Sequence, residues 1–294
     1  MGKAGRDWMQ VYAIYGMDEW HSLVLTMLQG SVLSVSSFLF LAYFGQICNF
    51  LAKSFTFLPI HAWSFVAGFV GALMALLAVM YFITAANIWY SDVILNWKMA
   101  QRMVGMVGDW SNVKMALDVG CGRGILLNAV AMQLKKEGSC GRVVGVDLWL
   151  DAQKTVSTTL RTAAIEGVQE KVTCRSGDAR NLPFSDNYFD VVVSGVFLHT
   201  VGKEFGFKSS AAAAERNKAL QEIVRVLKPG GTAVVWDLVC VPEYVLRLHE
   251  LKMEDIQVSE CVAAFMMHSH IVSFKKPYSQ VQLNGHDWRS SIAL

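Results

Sequence analysis

Three acidic residues stand at the ends of apolar runs that have the pattern of β-strands. Asp118 lies within the end of the run 114–119, Asp147 ends the run 142–147, and Asp178 follows the run 171–176. In an open α/β sheet, parallel strands share one carboxyl edge, and ligands bind along it. Asp147 has the spacing of an acceptor for ribose hydroxyl groups. The pattern therefore predicts one site that is built from several strand ends.

A glycine-rich turn follows the first run and precedes an apolar helix. It places Gly120, Gly122 and Gly124 at alternate positions. Glycine lets a ligand approach the backbone closely, and the start of a helix offers unpaired N–H groups. The dinucleotide fingerprint is G-x-G-x-x-G, but here the third glycine comes one residue early and Ile125 follows it. Asp118 would also repel a pyrophosphate, so the turn favours a cationic ligand.

Beyond residue 113, apolar runs alternate with helical segments. We expect the strands at 114–119, 142–147, 171–176, 189–194, 232–237, 256–259 and 268–274. We expect the helices at 125–136, 151–167, 211–227 and 242–253. Strands that alternate with helices are typical of a doubly wound, mostly parallel sheet. The fold class is therefore α/β.

Five segments, in this order, resemble the motifs of class I S-adenosylmethionine-dependent methyltransferases. They are LDVGCGRG, VVGVD, GDARNLPF, FDVVVSGVFLHTV and LQEIVRVLKPGG. The subgroup they resemble most methylates small molecules such as quinones and sterols. The resemblance covers about residues 113–277 and implies a Rossmann-like fold with a seven-stranded sheet. It also implies S-adenosyl-L-methionine as the cofactor and no metal ion.

The resemblance carries roles over to the glycine-rich turn. Asp118 would lie near the amino-acid moiety of the cofactor. Gly120, Gly122 and Gly124 would form the turn beneath that moiety and the ribose.

The same resemblance assigns the remaining cofactor contacts. Asp147 would accept hydrogen bonds from both ribose hydroxyls, and Asp178 would bind the adenine amine. The backbone N–H of Ala179 would meet the adenine ring. Ser194 would border the methyl-transfer position through its backbone.

His199 follows the fourth expected strand and is the candidate general base. Methyl transfer needs such a base only when the acceptor must lose a proton. The alternative is that His199 packs in the fold or belongs to the cofactor shell. Both interpretations stay open from the sequence.

The front of the chain is almost free of charge. Only eight of the 26 basic and 24 acidic residues lie among the first 100. The apolar runs 23–47 and 63–89 each exceed the roughly 20 residues that span a bilayer. We therefore expect an N-terminal cytosolic segment (1–22), a transmembrane hairpin (23–90), a linker (91–112), the methyltransferase domain (113–277) and a tail (278–294).

Basic residues near the ends of the two runs indicate their orientation. Lys3 and Arg6 precede the first run, Lys53 lies between the runs, and Lys98 and Arg102 follow the second. The excess of basic residues outside the hairpin predicts that both ends face the cytosol. We expect an integral protein of an endomembrane. Ala67, Gly71 and Ala75 have small-xxx-small spacing, which would let the two helices approach closely or would form a homodimer.

Composition excludes other classes of partner. The formal net charge of +2 is too small for a nucleic-acid footprint, and the six cysteines are scattered without a metal-ligand pattern. The leading hypothesis is a membrane-anchored enzyme that methylates an apolar small molecule or lipid. The alternatives are a membrane-anchored protein methyltransferase and a catalytically silent, cofactor-binding scaffold.

Overall fold

A computed structural model describes residues 20–55, 57, 59–148, 152–264 and 267–278. The N-terminal segment, most of the tail, Phe265 and Met266 lie outside the described residues. The chain divides into two compact units, with the boundary between Ile94 and Leu95.

The first unit is helical. It comprises α1 (Trp20–Ala42), α2 (Phe44–Ser54) and α3 (Ile60–Tyr90). The helices α1 and α3 pack together through small residues. Gly30 lies so close to α3 that a Cβ there would be 3.2 Å from the Cβ of Tyr81.

The face of α3 that packs on α1 differs in part from the expected one. Ala67, Ala78 and Ala85 are buried, and Gly71 accepts a hydrogen bond from Ser37 Oγ of α1 at 3.3 Å. Ala75 is exposed. A helix has 3.6 residues per turn, so a face that contacts a neighbour continues at alternating steps of three and four residues. A strict step of four rotates away from that face, and this explains why Ala75 leaves it.

The outward faces of both long helices are apolar. Leu41 is 74% exposed and Phe65 is 78% exposed. Both helices are long and apolar enough to cross a membrane.

The second unit begins with a helix where the sequence predicts a linker. A π-helical turn (Ser91–Leu95) leads into α4 (Asn96–Gly105). Met99, Met103 and Trp110 are buried in the same core as α5 (Ile125–Lys136). The linker 91–112 is therefore wrong for most of its length. Its apolar residues recur at helical spacing, and burying them extends the domain toward the N-terminus.

The sheet confirms the predicted doubly wound, mostly parallel fold. Its strands are β1 (Met115–Val119), β2 (Arg142–Asp147), β3 (Val172–Ser176), β4 (Phe189–Gly195), β5 (Leu227–Asp237), β6 (Glu254–Val258), β7 (Val262–Ala264) and β8 (Met267–Lys275). The strand order is β3-β2-β1-β4-β5-β8-β6, and β7 pairs with β8. Neighbours from β3 to β5 are parallel, whereas β8 is antiparallel to β5, β6 and β7. The seven strands of the main path match the expected number, and β7 is an addition.

Helices cover both faces of the sheet. The helices α4, α5 and α6 (Ala152–Ile165) supply one core, and α7 (Ser210–Val226) and α8 (Val241–Glu250) supply the other. Within β1, Ala116 belongs to the first core and Leu117 to the second. Strands that are buried on both faces consist of almost continuous apolar residues. The positions of these strands could therefore be predicted from the sequence.

A buried lysine joins the last strand to the rest of the domain. The Nζ of Lys276 donates to the carbonyl oxygens of Val224 and Leu227 at 2.7 and 2.9 Å, and to Asn187 Oδ1 at 2.9 Å. Burial lowers the pKa of this ammonium. The lysine satisfies carbonyls at the end of α7, where a helix leaves them without partners.

Candidate active site

The glycine-rich turn after β1 has a backbone that favours glycine. Gly120, Gly122 and Gly124 have φ angles of +75°, +46° and +85°, a region that other residues rarely adopt. No atom lies within 4 Å of the position that a Cβ of Gly122 would take. The turn therefore leaves open space beside the start of α5.

Asp118 is a buried carboxylate in this region. It is 1% exposed, and neither of its oxygens has a hydrogen-bond partner among the described residues. Burial raises the pKa of Asp118 well above its usual value, and the nearby charge of Asp147 raises it further. The backbone amide of Leu127 opposes this rise only weakly. A buried charge without a partner lowers the stability of the fold. A bound cationic group would supply that partner, so the surroundings of Asp118 favour such a ligand.

Asp147 fastens the end of β2 to the glycine-rich turn. Its Oδ2 accepts from the backbone N–H of Gly122 at 2.7 Å, and its Oδ1 accepts from that of Leu148 at 2.7 Å. Each carboxylate oxygen can accept more than one hydrogen bond. Asp147 is therefore fixed in place with acceptor capacity left over.

Asp178 is engaged by an arginine that the sequence analysis did not single out. Arg180 forms a salt bridge with Asp178 at 2.7 Å and a second with Glu215 at 3.1 Å. The hydrogen bond from Arg180 lowers the pKa of Asp178. Ala179 is buried beside this pair. Asp178 is thus held ionised at the end of the sheet edge.

Ser194 and Phe197 bring β4 to the turn. The hydroxyl of Ser194 is buried and donates to the Val119 carbonyl at 2.8 Å. The ring of Phe197 covers Gly120 so closely that a Cβ there would lie 1.9 Å from it. The side chain of Ser194 therefore braces β1 against β4, which leaves only its backbone for the expected contact.

His199 belongs to a hydrogen-bonded group that joins three elements. It lies in a short 3₁₀ segment (Leu198–Thr200) after β4. Its Nδ1 is 2.5 Å from Oδ1 of Asp237, the last residue of β5. The hydroxyl of Tyr244, on α8, donates to Oδ2 of the same carboxylate at 2.8 Å. Burial, followed by the charge of Asp237, raises the pKa of Tyr244.

Two cysteines meet beside the turn, across a glycine of β2. Cys174 of β3 is in register with Gly145 of β2, and the Sγ of Cys121 is 2.7 Å from the position of a Cβ on Gly145. A hydrogen bond between the two thiols raises the pKa of Cys121 and lowers that of Cys174. The absence of a side chain at Gly145 makes this contact possible.

Aromatic side chains are exposed in the loop that follows His199. Phe205 and Phe207 are 53% and 38% exposed. Arg180 also lies 3.6 Å from Glu204, which ties this loop to Asp178. Met267, at the start of β8, is 41% exposed.

The structure brings most of the expected site residues to one edge of the sheet. Asp118, Asp147, Asp178 and His199 all lie at or just beyond carboxyl ends of parallel strands. Asp237 was missed, although it obeys the rule that selected the other acids, because it ends a strand. Arg180 lies only two residues from Asp178, but its second partner, Glu215, is 35 residues away. The ring of Phe197 covers Gly120 across two neighbouring strands, and no local pattern shows this contact.

Comparisons with known proteins point to one family of domains. Residues 117–235 match the family model described as a methyltransferase domain. A demethylmenaquinone methyltransferase of Lactobacillus johnsonii is 34% identical over 116 residues, which are 40% of each chain. A chloroplastic 2-phytyl-1,4-beta-naphthoquinone methyltransferase of Arabidopsis thaliana is 32% identical over 135 residues, which are 45% of this chain and 46% of that protein. This chain therefore spans less than half the length of these curated relatives.

Part of this chain is also similar to a solved structure. A SAM-dependent methyltransferase from Aquifex aeolicus is 19% identical, with a TM-score of 0.43 over 60% of this chain and 88% of that chain.

Proposed function

We propose that this chain, whose residues 117–235 match a methyltransferase domain, is a class I S-adenosylmethionine-dependent methyltransferase that transfers a methyl group to an apolar, quinone-like small molecule at a membrane. The observation that carries the proposal is the buried, partnerless carboxylate of Asp118 beside a glycine-rich turn. That arrangement suits a ligand with a cationic amino group.

The residues present fit S-adenosylmethionine. The positively charged ammonium group of its methionine part would be the partner that the carboxylate of Asp118 lacks among the described residues. Its ribose hydroxyls would donate to Asp147, which the Gly122 amide already orients. Its adenine amine would donate to Asp178, with Arg180 keeping that carboxylate ionised and the Ala179 amide facing the ring. The open space at Gly122 leaves room for the ligand.

Bound S-adenosylmethionine supplies an electrophilic methyl group on a sulfonium. The chain's contribution is to orient the acceptor and to exclude water, and alignment of this kind is worth several kcal/mol of barrier. The backbone at Ser194 and the ring of Phe197 would border the position of transfer. His199 would accept a proton from the acceptor where one must be lost.

The relatives support an apolar acceptor, since both are named for naphthoquinone-type substrates. The exposed rings of Phe205 and Phe207 would receive an apolar body beside His199. This assignment is tested with tritium-labelled methyl groups, a total lipid extract and a membrane protein fraction. Label in the lipid extract supports the proposal, whereas label confined to protein would contradict it.

The helical unit supports attachment to the membrane. The helices α1 and α3 expose apolar faces of sufficient length, so we propose that they cross the bilayer as a hairpin with both ends in the cytosol. Extraction at high pH should leave the chain in the membrane pellet. In the variant Phe57→Cys, the new thiol lies between the helices and should react with an impermeant reagent only from the luminal side.

Cofactor binding is tested by calorimetric titration of the detergent-solubilised chain with S-adenosylmethionine, NADH and NADPH. We expect binding of the first alone. Asp147→Ala should abolish that binding while the melting temperature stays close to that of the wild type. Equal binding to Asp147→Ala would contradict the ribose assignment.

A further inference from the structure

Only one of the two ring nitrogens of His199 has a hydrogen-bond partner among the described residues. Its Nδ1 is 2.5 Å from Asp237 Oδ1, and its backbone N–H donates to Asp237 Oδ2 at 2.8 Å. In the part of the chain that the structure describes, Nε2 has no hydrogen-bond partner. The side chain is 17% exposed, so one face of the ring remains accessible. Nε2 is therefore the atom that can meet an acceptor.

Asp237 is fully buried and fixed from several directions. Besides His199, it accepts from the Leu238 amide at 2.9 Å and from the Tyr244 hydroxyl at 2.8 Å. These contacts leave the carboxylate little freedom to rotate. Its orientation decides which ring nitrogen of His199 carries the proton, because an acceptor at Nδ1 requires Nδ1–H.

The cationic group near Asp237 has a partner of its own, so it does not compete with His199 for this carboxylate. Arg216 forms its ion pair with Glu243 at 2.8 Å. Cys240 and Tyr244 also lie here, and burial raises the pKa of both. His270 of β8 is opposite Asp237 in the antiparallel pair, and its Nδ1 is 3.1 Å from the carbonyl oxygen of Ser259. Farther along α8, Arg247 is paired with Glu250. Among the described residues, His199 is the only group that forms an ion pair with Asp237. The carboxylate can therefore stabilise the imidazolium that forms when Nε2 takes up a proton.

Building on the proposed function, we infer that Asp237 is a positioning residue that holds His199 as the general base, and that the acceptor presents a weakly acidic hydroxyl group. An amine or a thiolate does not need a base to be nucleophilic, whereas a neutral hydroxyl group does. A base oriented by a buried carboxylate is therefore suited to a phenol or hydroquinone.

The step balances without another reactant. The hydroxyl proton goes to Nε2 of His199, and the released electron pair forms a bond to the methyl carbon. It comes from the oxygen, or from a ring carbon conjugated with it. In the second case the ring carbon then loses its proton to water and the oxygen takes one up, which restores the hydroxyl group. The carbon–sulfur bond breaks, and its electron pair stays on sulfur. The imidazolium then returns its proton to water.

The test uses the full chain in detergent. The probes are 1,4-naphthohydroquinone with a farnesyl chain and the matched aromatic amine. We expect methylation of the hydroquinone only, and product analysis distinguishes oxygen from ring carbon. His199→Gln should lower kcat by about 10²- to 10⁴-fold, and Asp237→Asn should lower kcat by up to the same factor, because it removes the carboxylate that orients the base. Neither should change the Kd of S-adenosylmethionine, and His199→Gln should remove the fall in rate at low pH.

Asp190→Asn is the matched control, because Asp190 also accepts two backbone amides but lies at the other end of β4. It should leave kcat unchanged. A second measurement needs no acceptor: diethyl pyrocarbonate modifies free imidazole nitrogens, and mass spectrometry follows its reaction at His199. In Asp237→Asn this reaction should slow several-fold at pH 8.5, because the amide no longer fixes the Nδ1–H form.

The outcomes separate the two proposals. Methylation of the amine, or hydroquinone turnover that both variants retain, would overturn the inference alone. Loss of cofactor binding by the wild-type chain would overturn the proposed function. If the chain binds cofactor but methylates neither probe, the modification rate decides, and an equal rate in Asp237→Asn refutes the positioning role.

Discussion

Asp118→Asn should make the protein more stable and a weaker binder of its cofactor. The substitution keeps the shape of the side chain and removes a buried charge that has no hydrogen-bond partner among the described residues. A buried group without its hydrogen-bond partner costs about 1–3 kcal/mol when it is neutral and more when it is charged, so removing the charge gains an amount of the same order. For a domain of this size, each kcal/mol shifts the melting temperature by about 2–4 °C. We therefore expect an increase of roughly 2 to 12 °C without cofactor.

The pH dependence of this gain has a defined sign. Because the folded protein raises the pKa of Asp118, it binds the proton more tightly than the unfolded chain does. The wild type therefore loses stability as the pH rises from about 4, the usual value for aspartate, through the raised value. The difference between variant and wild type should be small near pH 4 and should grow with pH.

Cofactor affinity should change in the opposite direction. A hydrogen bond to a charged group contributes about 1.5–3 kcal/mol, so the Kd should rise about 10- to 150-fold. Thermal unfolding and calorimetric titration of the solubilised chain measure the two effects. Asp190→Asn is the control with the other sign, since Asp190 is paired with Lys228 at 2.6 Å and its loss should lower stability and leave binding unchanged. A lower melting temperature for Asp118→Asn, or an unchanged Kd, would refute the reasoning.

Three further predictions concern other contacts. Gly145→Ala should destabilise the domain by about 1–3 kcal/mol, because the new Cβ would lie 2.7 Å from Cys121 Sγ and 3.0 Å from Leu127 Cδ2; thermal unfolding measures this, and Gly108→Ala, in open space, should show no change. Arg180→Ala should free the loop around Glu204 and raise the pKa of Asp178 toward its usual value. Limited proteolysis should then cut within residues 202–209 faster, and an unchanged rate would contradict the role of this salt bridge. Gly30→Leu should separate α1 from α3, because a Cβ there meets Tyr81 at 3.2 Å. Disulfide cross-linking between Ser37→Cys and Gly71→Cys, two positions that are in contact, should then fall, whereas Gly68→Leu, with no neighbour within 4 Å, should cross-link normally.

Much of the fold was readable because its strands are buried on both faces. The expected and observed bounds of β2 and α5 are identical, since each apolar run ends at glycine or charged residues. The start of β5 was less readable. The strand was expected to begin at residue 232, but it begins at Leu227, and its register against β4 shifts between Phe189 and Val191. Such an irregularity depends on the neighbouring strand, which no local pattern shows.

The site was readable where one rule applied, namely that acids at strand ends gather at one edge. It was not readable where a contact joins distant parts of the chain. His199 and Asp237 are 38 residues apart, and their contact follows from the adjacency of β4 and β5. The contact of Arg180 with Asp178 shows a different limit: the two residues are near neighbours in sequence, but the direction of their side chains decides whether they meet.

The position of β8 in the sheet sets the order in which the domain can be completed during synthesis. The strands β6 and β7 leave the ribosome before β8, which is the strand that each of them pairs with. Until residue 275 has emerged, both lack that partner, and β5 has one open edge. Lys276 emerges next, and its ammonium group donates a hydrogen bond to the Val224 carbonyl at the end of α7. Domains generally fold as units during synthesis, so this one can complete its sheet only after β8 has emerged, long after α1 and α3 have been made.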